Sequence, residues 1–122
     1  MRLLLDSVIV IDHFNGVSNA TAYLAAVRTE AAVSVITRAE VLAGLDDLAA
    51  VKAQRLLDCF PTLPIDREAA DLAASLRRSH HWRLPDAFQA ALALRHGLLL
   101  VTRNTKDFPP SKHRFVLVPY RL

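Results

Sequence analysis

The chain has 122 residues and a net charge of +3, with 52% apolar and 22% charged residues. This composition excludes a disordered segment and predicts one compact domain over residues 1–122. No apolar run approaches the roughly 20 residues of a membrane helix, and the stretch after Arg2 is too short for a signal peptide, so we expect a cytoplasmic chain with no membrane partner.

Apolar or β-branched runs alternate with helical patterns along the chain. The runs predict strands at Arg2–Leu5, Ala32–Val35, Thr62–Ile65, Leu98–Thr102 and Phe115–Val118. The patterns between them predict helices at Ala20–Arg28, Thr37–Ala43, Leu45–Cys59, from Asp66 to the two histidines, and from Pro85 to Gly97. This alternation predicts an α/β fold, a doubly wound and mostly parallel sheet of four or five strands flanked by helices.

Capping signals set the expected helix ends. Thr37 with Glu40 three residues later has the spacing of a capping box, and Asp66 has the chemistry of an N-cap. Pro85 suits a first helical turn, and Gly97 suits a C-terminal stop. His80 and His81 are interpreted as helix-end cations and Trp82 as loop packing.

Four acids fall where a parallel sheet gathers its carboxyl-end positions. Asp6 and Asp107 follow predicted strands, while Glu40 and Asp86 lie in the first halves of helices. Clustered carboxylates raise one another's pKa, and a divalent cation removes that penalty. Oxygen-only ligands favour Mg²⁺ or Mn²⁺, which can activate a water for phosphodiester hydrolysis. The four acids therefore predict a metal site.

Each acid also has an ordinary structural interpretation. Asp6 could cap a following helix, Glu40 could complete the capping box, Asp86 could be a first-turn acid, and Asp107 could be a turn residue. Asp12 is interpreted as a helix-surface acid and is left out of the site.

The charge is unevenly distributed. Residues 1–75 carry six Lys or Arg against ten acids, whereas residues 76–122 carry nine against two. This basic last third predicts a polyanion partner, with a solvated basic face as the alternative.

Four segments together resemble one known family. LLLDS at 3–7, TRAEVLAGL at 37–45, LPDAFQAALAL at 84–94 and LVTRNTKDF at 100–108 resemble the PIN-domain family. In particular, they resemble the VapC toxins of bacterial VapBC toxin–antitoxin modules. The resemblance covers essentially the whole chain in order.

The resemblance implies a Mg²⁺- or Mn²⁺-dependent endoribonuclease, the toxin of a type II toxin–antitoxin module, with about five parallel strands. Its catalytic and metal-binding acids would be Asp6, Glu40, Asp86 and Asp107. Ser7, Thr102 and Asn104 match residues that support that site. Implied partners are a VapB-type antitoxin, a second copy in a homodimer, and tRNA or rRNA as substrate. Arg83, Arg103 and Lys106 flank the late acids and are expected to contact RNA phosphates.

One position departs from the family pattern. Asn is usual two residues after the first Asp, and Val8 stands there instead. This leaves open a non-catalytic PIN-fold module that binds RNA or protein. A receiver-type phosphoacceptor domain is a second alternative. It would need paired acids after the first strand and an Asp ending the middle strand, and this chain has neither.

Overall fold

The computed structural model describes residues 1–122 and contains five strands and six helices. The strands are β1 Leu3–Leu5, β2 Ala31–Ser34, β3 Thr62–Leu63, β4 Leu99–Val101 and β5 Val116–Leu117. The helices are α1 Ser7–Phe14, α2 Ser18–Ala26, α3 Val35–Ala43, α4 Asp47–Leu57, α5 Arg67–His80 and α6 Leu84–His96. None of these helices is both long and apolar enough to cross a bilayer.

All five strands belong to one parallel sheet in the order β3-β2-β1-β4-β5. The central strand β1 pairs through Leu4 with Ala32 on one side and with Leu100 on the other. The predicted α/β fold with a doubly wound parallel sheet is confirmed, although the strands are shorter than their apolar runs.

Side chains alternate between the two faces of the sheet, as the pleat requires. Leu4 faces a cluster with the buried alanines of α5 and α6 and with Phe108. Leu3 and Leu5 face the opposite cluster, which is built from α1 to α4. Helices therefore cover both faces, which explains why β1 is apolar without interruption.

At one helix start the capping interpretation of the sequence holds, and at another the predicted cap is wrong. A helix, α1, begins directly after Asp6, whose carboxylate accepts a hydrogen bond from the Ser7 backbone N–H. The predicted cap Thr37 is wrong, because α3 begins at Val35 and Ser34 accepts the hydrogen bond from the Thr37 backbone N–H. Glu40 is therefore not part of a capping box with Thr37.

The later helix ends agree with their signals. Asp66 caps α5 by accepting a hydrogen bond from the Ala69 backbone N–H. Pro85 lies in the first turn of α6, and Gly97 ends that helix with a left-handed φ of 64°. These signals were sufficient to predict the helix ends from the sequence, because each acts within a few residues of its own position.

The strand order places a switch point between β1 and β4. The chain winds from β1 through β2 to β3 on one side, and β4 and β5 lie on the other. The crevice outside the carboxyl ends at such a point is where doubly wound proteins bind ligands. Asp6 follows β1 and Thr102 follows β4, so these two residues flank the crevice.

Substituting Gly97 tests the left-handed end of α6. A Cβ at Gly97 would meet no atom within 4 Å, so only its φ of 64° opposes Gly97→Ala. We expect a loss of about 1 kcal/mol in the free energy of unfolding, measured by urea titration. Gly44→Ala is the matched control. Gly44 has a φ of −88°, so alanine there should leave stability equal or slightly higher, and equal losses at both positions would contradict the explanation.

Candidate active site

Asp6 is the centre of the buried polar groups at the switch point. It is 5% exposed, and three groups donate hydrogen bonds to its carboxylate. The Thr102 hydroxyl donates to Oδ2 at 2.7 Å, while the Ser7 backbone N–H and Gln89 Nε2 donate to Oδ1 at 2.9 and 3.2 Å. Burial raises the pKa of Asp6, and the charge of Glu40 adds to this, although the hydrogen bonds oppose it.

Gln89 connects Asp6 to the ends of two other elements. Its Nε2 also donates to the Thr37 hydroxyl at 2.7 Å, and its Oε1 accepts from the Ser34 hydroxyl at 2.7 Å. The Thr37 hydroxyl in turn donates to the Leu5 carbonyl at 3.0 Å. Gln89, Ser34 and Thr37 were not predicted as site residues from the sequence. The available signal was a glutamine within the apolar face of α6, three residues after Asp86 and so on the same side of the helix.

Asp86 lies in the first turn of α6 and is 8% exposed. Its Oδ2 atom is buried without any hydrogen-bond partner, and Arg83 Nε approaches only to 3.7 Å. Burial raises the pKa of Asp86, and the charges of Asp6 and Asp107 raise it further, while Arg83 opposes them. The charges of Asp6 and Asp107 therefore act on Asp86 at this edge of the sheet.

Asp107 is held by the loop that follows β4. The Asn104 side chain donates to Asp107 Oδ2 at 2.9 Å and accepts from the Asp107 backbone N–H at 3.3 Å. The Asn104 backbone N–H donates to the Thr102 hydroxyl at 3.0 Å, which itself donates to Asp6. Thr102 and Asn104 therefore connect the first acid of the chain to the last.

The side chains of Glu40 and Ser7 take no part in the hydrogen bonds around Asp6. Glu40 is half-buried, makes no hydrogen bond through its carboxylate, and lines a groove with Ile11 and Phe14. Ser7 contributes its backbone N–H rather than its hydroxyl. Val8 packs against the apolar cluster beneath α1.

The chemistry of this edge fits a divalent cation. The atoms that could bind a metal here are all oxygens, and one of them, a carboxylate oxygen of Asp86, is buried without a hydrogen-bond partner. Burial, together with repulsion from the neighbouring acids, opposes ionisation of Asp86. No three His, Cys, Asp or Glu side chains lie close enough together to hold a metal ion by themselves. An ion here would take one or two carboxylates directly and complete its shell with water, the preference of Mg²⁺ in proteins.

Asp12 is not the surface acid that the sequence analysis expected. It is 5% exposed, and Arg103 binds it through two hydrogen bonds of 2.6 and 2.8 Å. The Tyr120 hydroxyl donates to the same carboxylate at 2.9 Å. Hydrogen bonds from Arg103 lower the pKa of Asp12, and burial beside Asp12 raises the pKa of Tyr120.

The three basic residues expected to contact RNA differ in how free their side chains are to bind a phosphate. Arg83 is 78% exposed in its side chain and lies beside Asp86. Lys106 is exposed beside Asp107. Arg103 instead commits Nε and Nη2 to Asp12, so its main contact is within the protein.

Comparisons with known proteins agree on one family. Residues 3–109 match the family model of the PIN domain. Ribonuclease VapC10 of Mycobacterium tuberculosis is 35% identical over 114 residues, which cover 88% of this chain and 86% of that protein.

Solved structures show the same similarity. A toxin–antitoxin complex from Klebsiella pneumoniae contains a chain with a TM-score of 0.87 and 36% identity, covering 98% of this chain and 99% of that one. FitAcB from Neisseria gonorrhoeae gives a TM-score of 0.79 and 26% identity over 98% of this chain and 99% of that one.

Asp12→Asn tests the buried ion pair with Arg103. We expect it to lower the free energy of unfolding at pH 7 by about 2 kcal/mol, because it leaves a partly buried guanidinium, 28% exposed, without its counter-charge. Since Arg103 lowers the folded pKa of Asp12 below its ordinary value of 3.8, the stabilisation is complete above that value and is lost as pH falls through the folded pKa. Urea unfolding at pH 7 and pH 3 should show the difference between variant and parent shrinking at acid pH.

Asp58→Asn is the matched control for that measurement. Asp58 pairs with Arg38 at 2.9 Å, but its side chain is 66% exposed. We expect its loss to cost less than about 1 kcal/mol at pH 7. Equal costs for the two variants would contradict the role given to Asp12.

Proposed function

This chain belongs to the PIN-domain family, and from that membership we propose that residues 1–122 form one VapC-type toxin ribonuclease. As the toxin of a type II toxin–antitoxin module, it hydrolyses RNA phosphodiester bonds with the help of a divalent cation, Mg²⁺ or Mn²⁺. The relative named ribonuclease VapC10 supports the nuclease activity.

One observation carries the catalytic part of the proposal. Asp86 Oδ2 is the one buried side-chain polar atom in the structure without a hydrogen-bond partner, and burial, with the charges of Asp6 and Asp107 added to it, opposes ionisation of this carboxyl. A buried acceptor without a partner typically costs about 1 to 3 kcal/mol. Functional sites are where proteins retain such costs, and a cation would remove this one.

We propose that Asp6, Glu40, Asp86 and Asp107 hold the ion, one or two of them directly and the others through water. When bound, a divalent cation turns water into a nucleophile at neutral pH and stabilises negative charge on the leaving oxygen. Asp6 and Asp86 are the most buried of the four acids. Their burial excludes water, which strengthens every charge interaction at this edge.

The surrounding residues fix the acids before the substrate arrives. Thr102, Gln89 and the Ser7 backbone N–H hold both oxygens of Asp6, so that carboxylate enters the reaction without reorganising. Asn104 does the same for Asp107. Outer partners of this kind commonly change metal affinity or activity by about 10- to 100-fold.

The proposed protein partner is a VapB-type antitoxin. The similar chain from Klebsiella pneumoniae comes from a toxin–antitoxin complex. Here Glu40 lies in a groove with Ile11 and Phe14, and Ile11 is 38% exposed, so an apolar segment lying in the groove would reach the carboxylate edge. We also propose a homodimer, and tRNA or rRNA as substrate.

Two alternatives explain fewer of the observations. A receiver-type domain needs paired acids after the first strand, and β1 is followed by the single acid Asp6 and then by Ser7. A non-catalytic module was suggested by Val8 in place of the usual Asn. However, Val8 packs into the core and Asp6 obtains its hydrogen bonds elsewhere, so this departure deprives the carboxylate of no partner.

Asp86→Asn should move activity and stability in opposite directions. We expect discrete metal-dependent cuts in total tRNA or an rRNA fragment to disappear with Asp86→Asn and with Asp6→Asn. We also expect Asp86→Asn, measured in EDTA, to raise the free energy of unfolding by about 1 kcal/mol, because it removes a buried charge and its repulsion. The measurements are gel analysis of purified antitoxin-free protein and thermal unfolding.

Asp71→Asn is the matched control, since Asp71 is an exposed acid on α5 with no ion-pair partner. It should leave both cleavage and stability unchanged. Wild-type cuts that persist in EDTA, or in both site variants, would contradict the proposal. A destabilised Asp86→Asn protein would contradict the interpretation of its unpartnered oxygen.

A further inference from the structure

A second pocket lies on the outer side of Asp107, beyond the four acids. Its rim brings the end of α5, the following loop and the segment before β5 together. The residues that line it are His80, Trp82, Lys106, Asp107, Pro109, Lys112 and His113. Two of the three lysines of the chain are in this lining, and Asp107 is its only acid.

Stacked rings form one wall of this pocket. The Trp82 ring is buried, and the His80 ring lies on it nearly parallel, with centroids 4.3 Å apart and planes inclined by 13°. His113 meets the edge of both, at 5.4 Å from His80 and 5.3 Å from Trp82. His80 is itself exposed, so the side of its ring away from Trp82 faces solvent.

The wall is fixed to the active site rather than mobile beside it. Trp82 Nε1 donates a hydrogen bond to the Asp107 carbonyl at 2.9 Å. The Trp82 ring also packs on Phe108, which is fully buried, with centroids 4.8 Å apart. Arg77 donates to the Trp82 carbonyl at 2.6 Å from the other side. These contacts join the stack to the Asp107 backbone.

The two lysines of the pocket have no acidic partner within the protein. Lys106 and Lys112 are both exposed, and neither forms an ion pair. Burial, together with the positive charges of His80 and Lys112, lowers the pKa of His113. Two free ammonium groups beside an exposed flat ring are the combination that binds a phosphate and its base in single-stranded nucleic acids.

We propose that this pocket is a subsite for one unpaired nucleotide of the RNA substrate, next to the nucleotide whose phosphate is cleaved. The base stacks on the exposed face of His80, and its phosphate lies between Lys106 and Lys112. This inference rests on the proposed ribonuclease function. It adds a preference for an unpaired base on the Asp107 side of the cut, because a base within a duplex cannot reach the ring.

His80→Ala tests the stacking half of the inference. The probe is a fluorescent single-stranded RNA of nine nucleotides, and its dissociation constant is measured by anisotropy in EDTA, where no cleavage interferes. We expect binding to weaken about tenfold when the ring is lost. His80→Phe retains a flat ring and should stay within about twofold of wild type, and a fully paired RNA of the same sequence should be insensitive to both variants.

The double variant Lys106→Gln, Lys112→Gln tests the phosphate half. Losing the one phosphate that the two lysines neutralise should lower the slope of log affinity against log salt by about 0.7. Lys52→Gln is the matched control, since Lys52 is the remaining lysine and is exposed on α4. Lys52→Gln should leave both the affinity for RNA and the salt slope close to those of wild type.

The outcomes separate this inference from the ribonuclease proposal. Single-stranded binding that is unchanged in His80→Ala and in the double lysine variant would overturn the subsite, whatever the cleavage assays show. Equal weakening by His80→Phe and His80→Ala would overturn stacking as the cause. Binding is measured in EDTA, so loss of cleavage in Asp86→Asn tests the ribonuclease and leaves the subsite result intact.

Subsite variants should raise KM for single-stranded RNA while kcat stays near wild type.

Discussion

The structure depends on keeping one ionisable carboxylate, Asp6, buried at the point where the strand order of the sheet reverses. A buried charge is costly unless hydrogen bonds and an opposite charge compensate it. The protein supplies the hydrogen bonds from three directions: Thr102 after β4, Gln89 on α6 and the first backbone N–H of α1. No cationic side chain binds this carboxylate. Asp6 has no cationic partner, and Asp86 has only the exposed Arg83 at 3.7 Å. A divalent cation at this edge could therefore compensate both charges, which makes it a candidate catalytic site.

A second buried acid, Asp12, does have a cationic partner, and its role is different. Asp12 lies on the same helix that Asp6 caps, but Arg103 binds it in bidentate fashion and Tyr120 adds a third hydrogen bond. Arg103 stands between Thr102, which holds Asp6, and Asn104, which holds Asp107. The ion pair therefore anchors the loop that positions two of the proposed ligands. Asp12 is thus an acid paired with a cation of the protein, whereas Asp6 has hydrogen bonds but no cationic partner. Burial raises the pKa of Asp6, and the hydrogen bonds from Arg103 lower the pKa of Asp12.

The sequence predicted what is decided locally and missed what is decided by distant contacts. Asp66 and Gly97 were predicted correctly as helix ends, because capping and left-handed turns act within one helical turn. Ser34 and Thr37 are both capping types, and the choice between them depends on the Thr37 hydroxyl reaching the Leu5 carbonyl of β1. Asp12 appeared to be a surface acid because its partner, Arg103, is 91 residues away. The four proposed site acids were predicted from the shared carboxyl-end edge of a parallel sheet together with their charge. Gln89, a polar residue on the inward face of α6, was a signal that could have been used.

The central claim is that Asp6 and Asp86 share a divalent cation, and diffraction from crystals soaked in Mn²⁺ tests it most directly. Anomalous scattering locates manganese without reference to activity. The account predicts one strong peak at the carboxyl ends of β1 and β4, with oxygen ligands near 2.2 Å from at least one of these two acids and water completing the shell. The same soak of Asp86→Asn crystals should weaken or abolish that peak. Manganese bound elsewhere, or an equally strong peak in the variant, would contradict the account.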